Sequence, residues 1–83
     1  DVEFPEKDRQ TIIERVRHSA PEYIDGVKVI KIDTTDGFRF ILADTSWLLV
    51  RFSGTEPLLR IYAESDTPVR VGKIIELGKK LAV

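Results

Sequence analysis

The 83-residue chain contains no cysteine, and one histidine and one tryptophan are its only residues of those kinds. Without thiols there can be no disulfide and no thiolate-ligated metal, which is compatible with a cytosolic compartment, and we expect a cytoplasmic location. No apolar run approaches the length of a bilayer span and no signal-peptide pattern occurs, so we expect no membrane partner. A surplus of either charge is lacking too: 13 Lys and Arg stand against 14 Asp and Glu, a formal net charge of −1. That balance argues against a generic nucleic-acid binder, while leaving room for a local anion site two or three residues wide. The chain opens on Asp1-Val2-Glu3-Phe4-Pro5 with no initiator methionine, which leads us to expect a piece of a longer protein.

What is present reads as one small domain, large enough for a single core and near the size where stability is marginal. Residues 6 to 20 have helical spacing of Ile12, Ile13, Val16 and Ala20 behind an acidic start, and Pro21 stops them. His18 falls near the end of this helix, where a surface role suits it. Asp25-Gly26 opens a strand over Val27 to Asp33, whose alternation does not decide which face is core. Thr34-Thr35-Asp36-Gly37 is a hairpin turn, followed by strands over Phe38 to Ala43 and Trp47 to Phe52 with Asp44-Thr45-Ser46 between them. A fourth strand runs from Leu58 to Glu64. Asp66 or Thr67 can then cap a helix with Pro68 in its first turn and Val71, Ile74, Ile75, Gly78, Leu81 and Ala82 as its apolar stripe. Short turns imply an antiparallel meander, and two amphipathic helices need a surface to cover. The predicted fold is α+β: a four-stranded antiparallel sheet with both helices on one face. The face carrying Trp47, Leu49, Arg51, Tyr62 and Glu64 is expected to stay open.

The most informative stretch is Arg51-Phe52-Ser53-Gly54-Thr55-Glu56-Pro57. Gly54 can take positive φ and puts no side chain between a ligand and its backbone, so Ser53-Gly54-Thr55 can curl into a set of amide and hydroxyl donors. Arg51 adds a planar fork that is always charged and suits phosphate oxygens. Pro57 has no N–H to place in a ladder and marks the loop's exit. Matching the apolar faces of the two flanking strands pairs Phe52 with Leu59, Val50 with Ile61 and Leu48 with Ala63. Arg51 then faces Arg60. Like charges directly across a sheet cost a few tenths to about 1 kcal/mol, so an acidic group such as Glu56 or Glu64, or a bound anion, is expected between them. The alternative is a hairpin loop whose hydroxyls satisfy their own turn and whose arginines pair with local glutamates.

The string from Trp47 to Glu64 resembles the C-terminal domain of the phosphohexomutases, the family of phosphoglucomutase, phosphomannomutase and phosphoglucosamine mutase. The family signature is Arg-x-Ser-Gly-Thr-Glu-Pro, usually with proline at the second place, where this chain has Phe52. The likeness is specific over residues 47 to 64 and extends through the element order over 24 to 83. Residues 1 to 23 match as an N-terminal helix and interdomain segment. The resemblance implies the last of four domains, with a fold similar to the TATA-box-binding protein, whose loop holds the non-reacting phosphate of a sugar phosphate. Carried over by position, Arg51, Ser53, Gly54 and Thr55 are phosphate ligands, joined by Arg60 through the register argument. The implied enzyme is an intramolecular phosphotransferase interconverting hexose 1-phosphate and hexose 6-phosphate, with Mg2+ and hexose 1,6-bisphosphate. Its serine and metal loops have no counterpart in this chain. No cofactor and no turnover are therefore expected of the domain alone; its partners would be the sugar phosphate and the other three domains, and the segment before Asp25 would be a hinge for cleft closure. The competing reading is a stand-alone anion-binding or protein-interaction module.

Overall fold

Residues 2–82 are described by a computed structural model. The chain runs through β1 (Val2–Glu3), a 3-10 turn (Glu6–Asp8), α1 (Arg9–Ser19), β2 (Tyr23–Ile24), β3 (Val27–Asp33), β4 (Phe38–Leu42), β5 (Trp47–Phe52), β6 (Leu58–Glu64) and α2 (Pro68–Ala82). The strands form one antiparallel sheet of six, in the order β1-β6-β5-β4-β3-β2. The four long strands are the expected ones, and the expected count of four is corrected by a two-residue strand at each edge. Strands that short carry no readable alternation. β2 could still be inferred from its turn, because Asp25 and Gly26 both have positive φ (51° and 76°), as a two-residue hairpin of the primed type requires.

The ambiguous face of β3 has a physical cause. Val29 pairs with Leu42 and Lys31 with Ile41, so Ile30 is an extra residue that shifts the register. Such a bulge reverses the alternation. Val27 and Val29 before it, and Ile32 after it, opposite Phe40, thereby share the inner face.

That inner face also carries Phe40, Leu42, Leu48, Val50 and Leu59, which are almost wholly buried. α2 lies over β5 and β6, inserting Ile74 and bringing Gly78 so close that a Cβ there would stand 2.8 Å from Leu48 Cδ1 and 3.1 Å from Ile61 Cγ2. α1 packs against α2 and sends Ile12 and Val16 into the same core. Thr67 is the cap of α2: its Oγ1 accepts the Arg70 N–H at 3.2 Å. α1 ends where Ala20 turns left-handed (φ 35°), just before Pro21.

The outer face is less open than expected. Leu49 is only 7% exposed. The Arg39 guanidinium lies 5.0 Å from the centre of the Trp47 ring, and Trp47 Nε1 donates to Glu64 Oε2 at 3.2 Å. Tyr62 remains exposed.

Two local devices hold the meander in place. Gly37, with φ 100°, sits so tightly on β5 that a Cβ would be 2.7 Å from the Val50 carbonyl oxygen and 3.2 Å from Arg51 Cα. Arg70, in the first turn of α2, donates to Asp44 Oδ2 at 2.6 Å and to Asp25 Oδ2 at 3.3 Å, and its Nη1 lies 3.5 Å from Asp66 Oδ1. One guanidinium thus ties the helix start to the β2–β3 and β4–β5 turns. The Arg70 hydrogen bond, helped by the Ser46 backbone N–H, holds the Asp44 carboxyl below its ordinary range. The Asp33 carboxyl is lowered likewise, first by the Thr35 backbone N–H.

Gly37→Ala should destabilise the chain by at least about 1–2 kcal/mol from the left-handed backbone alone, read as a lower denaturant midpoint. For the carboxylates, a depressed native pKa gives stability that is present above the unfolded value of about 4 and lost as pH falls through the native value. The melting temperature should therefore hold near neutrality and fall on acidification below about pH 4. Arg70→Gln should lower it at neutral pH and flatten the acid-side fall.

Candidate functional site

The register of β5 and β6 is the one the apolar faces dictate: Leu48 with Ala63, Val50 with Ile61, Phe52 with Leu59, and Arg51 directly opposite Arg60. Both arginines are exposed on the outer face at the end of the hairpin that carries the Ser53–Pro57 loop. The expected acidic neighbour of Arg51 is neither Glu56 nor Glu64. It is Asp36, in the turn seated on β5 by Gly37, with Oδ1 3.7 Å from Arg51 Nε and both side chains more than half exposed. A pair that open to water contributes little. Among the described residues, Arg60 has no ion pair.

The loop is shaped partly by its own hydroxyl. Ser53 Oγ accepts the backbone N–H groups of Thr55 at 3.3 Å and Glu56 at 3.2 Å. Ser53 N–H goes to the Leu58 carbonyl at 3.0 Å, and Leu58 N–H returns to the Glu56 carbonyl at 2.8 Å. The amides are thus mostly consumed within the turn, rather than forming the open concave set that the sequence suggests. Donors left without an acceptor among the described residues are the Ser53 and Thr55 hydroxyls and the Gly54 N–H, the loop amide that makes no hydrogen bond there. Gly54 does not have positive φ, and a Cβ on it would meet nothing within 4 Å. Neither backbone geometry nor internal packing calls for glycine there.

The N-terminal segment braces the loop from the other side. Val2 and Glu3 pair with Leu59 and Leu58, and Phe4 N–H donates to the Pro57 carbonyl at 3.0 Å. The Phe4 ring meets Phe52 edge-on, centroids 6.1 Å apart. Phe52, where the family has proline, therefore contributes to the seat of this segment. Arg9, first residue of α1, donates Nη1 to the Ser53 carbonyl at 2.7 Å and Nη2 to the Glu56 carbonyl at 2.8 Å. Its Nε lies 3.0 Å from Glu6 Oε1, and its guanidinium is 5.6 Å from the Phe4 ring centre. Sequence reasoning missed Arg9 and Asp36. The sequence held no signal for Arg9, because a helix read from residue 6 places it inside the first turns, whereas the structure makes it the first residue of α1. His18, by contrast, is a surface residue as expected, its Nε2 3.0 Å from Glu14 Oε2.

Residues 2–77 match the family model for the phosphoglucomutase/phosphomannomutase C-terminal domain. The chain belongs to this family. It is 43% identical over 76 residues to the phosphoglucomutase/phosphomannomutase of Thermococcus kodakarensis, covering 92% of this chain and 15% of that protein. It is 38% identical over 72 residues to a probable phosphoglucosamine mutase of Methanosphaera stadtmanae, covering 87% and 16%. A phosphopentomutase of T. kodakarensis is 32% identical over 78 residues, covering 94% and 17%. The chain thus spans about one-sixth of the length of these relatives. The phosphoglucomutase/phosphomannomutase match takes in β1, Arg9 and β2, so residues before 24 share the likeness to the family along with the central hairpin. Among the described residues, no helix is long and apolar enough to cross a membrane.

Ser53→Ala should release the Thr55 and Glu56 amides, speeding their hydrogen exchange selectively and costing about 0.5–1.5 kcal/mol in denaturant unfolding.

Proposed function

We propose that this domain holds the non-reacting phosphate of a sugar phosphate within a larger mutase, with Arg51, Ser53, Gly54 and Thr55 as its ligands and Arg60 as a second cation. The observation that carries this is the pairing of Arg51 with Arg60 across the hairpin end, beside a loop that keeps the Gly54 N–H and two hydroxyls without an acceptor among the described residues. The two facing like charges, eased by solvent and by Asp36 beside Arg51, are tolerated there because the apolar register behind them is worth more. A dianion would turn that cost into binding. The hydroxyls fit the same ligand: Ser53 accepts from the loop amides through its oxygen and keeps its proton to donate.

Such a site positions the substrate and does no bond-breaking. Gripping a remote, non-reacting phosphate lets its binding energy orient the group that reacts. The bisphosphorylated sugar of the mutase cycle has to present either phosphate to this loop. A loop that reads phosphate and ignores the sugar meets that need, and suits relatives named for hexose, hexosamine and pentose phosphates alike. The domain would also help to close the cleft over bound substrate, its exposed rim being completed by the other domains. Among the described residues no group of three or more His, Asp or Glu is placed to hold a metal ion. In this reading Mg2+ and the phosphate-carrying serine of the mutase reaction would be supplied by the rest of the longer protein.

An amide-detected NMR titration tests the reading. Ser53, Gly54 and Thr55 signals should move with glucose 1-phosphate and with inorganic phosphate, and stay still with glucose. In the full-length mutase, Arg51→Ala should raise KM and lower kcat/KM by about 10- to 100-fold, the worth of a charge-assisted hydrogen bond. Unchanged kinetics in that variant would remove the proposal.

A further inference from the structure

We infer that Arg9 is a positioning residue for the phosphate loop, acting from behind it by fixing the peptide plane that aims the Gly54 N–H at the ligand. The inference deepens the phosphate reading and rests on it. Its geometric basis is that Arg9 grips both ends of the loop apex, the Ser53 carbonyl at 2.7 Å and the Glu56 carbonyl at 2.8 Å. The Ser53–Gly54 peptide is planar and trans, since the described chain has no cis bond. In a trans peptide the C=O and the N–H point in opposite directions. Holding the Ser53 oxygen against α1 therefore turns the Gly54 N–H to the far side, away from the helix. That N–H is the loop amide left without a partner among the described residues.

The choice of residue makes chemical sense. An arginine fork can span two carbonyls at once, where a lysine ammonium is a point donor. Its charge also polarises the peptide it holds, making the opposite N–H a stronger donor to an anion. Arg9 is itself held in place: Glu6 takes its Nε with both carboxylate oxygens at 3.0 Å, and the buried Phe4 ring lies beneath its guanidinium. The same segment carries β1, paired with the outgoing limb of the loop. Loop and N-terminal segment consequently behave as one unit, so any movement of the chain that enters the domain reaches the phosphate donors directly.

The experiment compares wild-type chain with Arg9→Ala, Arg9→Met and Arg9→Lys by NMR, first without ligand and then titrated with inorganic phosphate. Without ligand, Arg9→Ala should shift the Gly54 amide resonance and speed its hydrogen exchange while core amides such as Val50 and Ile74 stay protected. With phosphate, Kd should rise about tenfold in Arg9→Ala and Arg9→Met, the latter keeping the stem that covers Phe4, and Arg9→Lys should recover part of the loss. A merely structural arginine would lower the melting temperature without the lysine restoring phosphate affinity. If wild type gives no phosphate-dependent shift, the phosphate reading fails and the inference resting on it falls too. If wild type binds and a folded Arg9→Ala or Arg9→Met shows the wild-type Gly54 resonance, exchange rate and Kd, the phosphate reading stands and the Arg9 inference is overturned.

Discussion

The pairing of Leu48, Val50 and Phe52 on β5 with Ala63, Ile61 and Leu59 on β6 is the constraint on which the rest of this domain depends. Full burial of a residue such as Leu48, Val50 or Leu59 contributes about 1.5–3 kcal/mol, and all three are essentially inaccessible to solvent. Slipping the hairpin by one residue would turn the whole set outward. Against that sum, the repulsion of Arg51 facing Arg60, at most about 1 kcal/mol, is small. The core therefore places like charges opposite each other on the surface, next to the Ser53–Pro57 loop. The register of the apolar face thus places the two arginines opposite each other at the loop end of the hairpin.

The loop itself is supported from three directions. Within it, Ser53 Oγ folds the apex back on the amides of Thr55 and Glu56. Beside it, the β3–β4 turn is seated on β5 through Gly37 and brings Asp36 within reach of Arg51. Behind it, the N-terminal segment binds the outgoing limb through β1 and the apex through Arg9. At the other end of the domain, Arg70 locks two turns to the start of α2. The helix that covers β5 and β6 is thereby fixed against the hairpin whose far end carries the arginines. Support at the base and exposure at the rim are compatible with the proposed role of this loop in a longer protein.

Much of this was legible in the sequence. The four long strands, both helices, the stop at Pro21 and the register that places Arg51 across from Arg60 follow from apolar alternation, helical spacing and turn residues, which are local properties. The single-residue bulge at Ile30 was legible only as a conflict: the alternation of β3 named two opposite faces because the strand uses each in turn. Alternation did not show the two edge strands, since two residues have no period, and only β2 had another signal, its Asp25-Gly26 turn. Nor was the closed condition of Leu49 on the outer face, which depends on side chains of neighbouring strands lying over it.

The sequence by itself determined the four long strands, both helices and the hairpin register, because each rests on residues close together along the chain. The tertiary structure decided what that loop is attached to. Arg9 lies 44 residues from Ser53, and Asp36 is brought to Arg51 by the fold of the meander. Local pattern carries no information on which distant cation meets which carbonyl. That is settled when the core closes, and here it closes so that Arg9, near the start of the chain, holds the Ser53 and Glu56 carbonyls while Arg51 and Arg60 stay exposed.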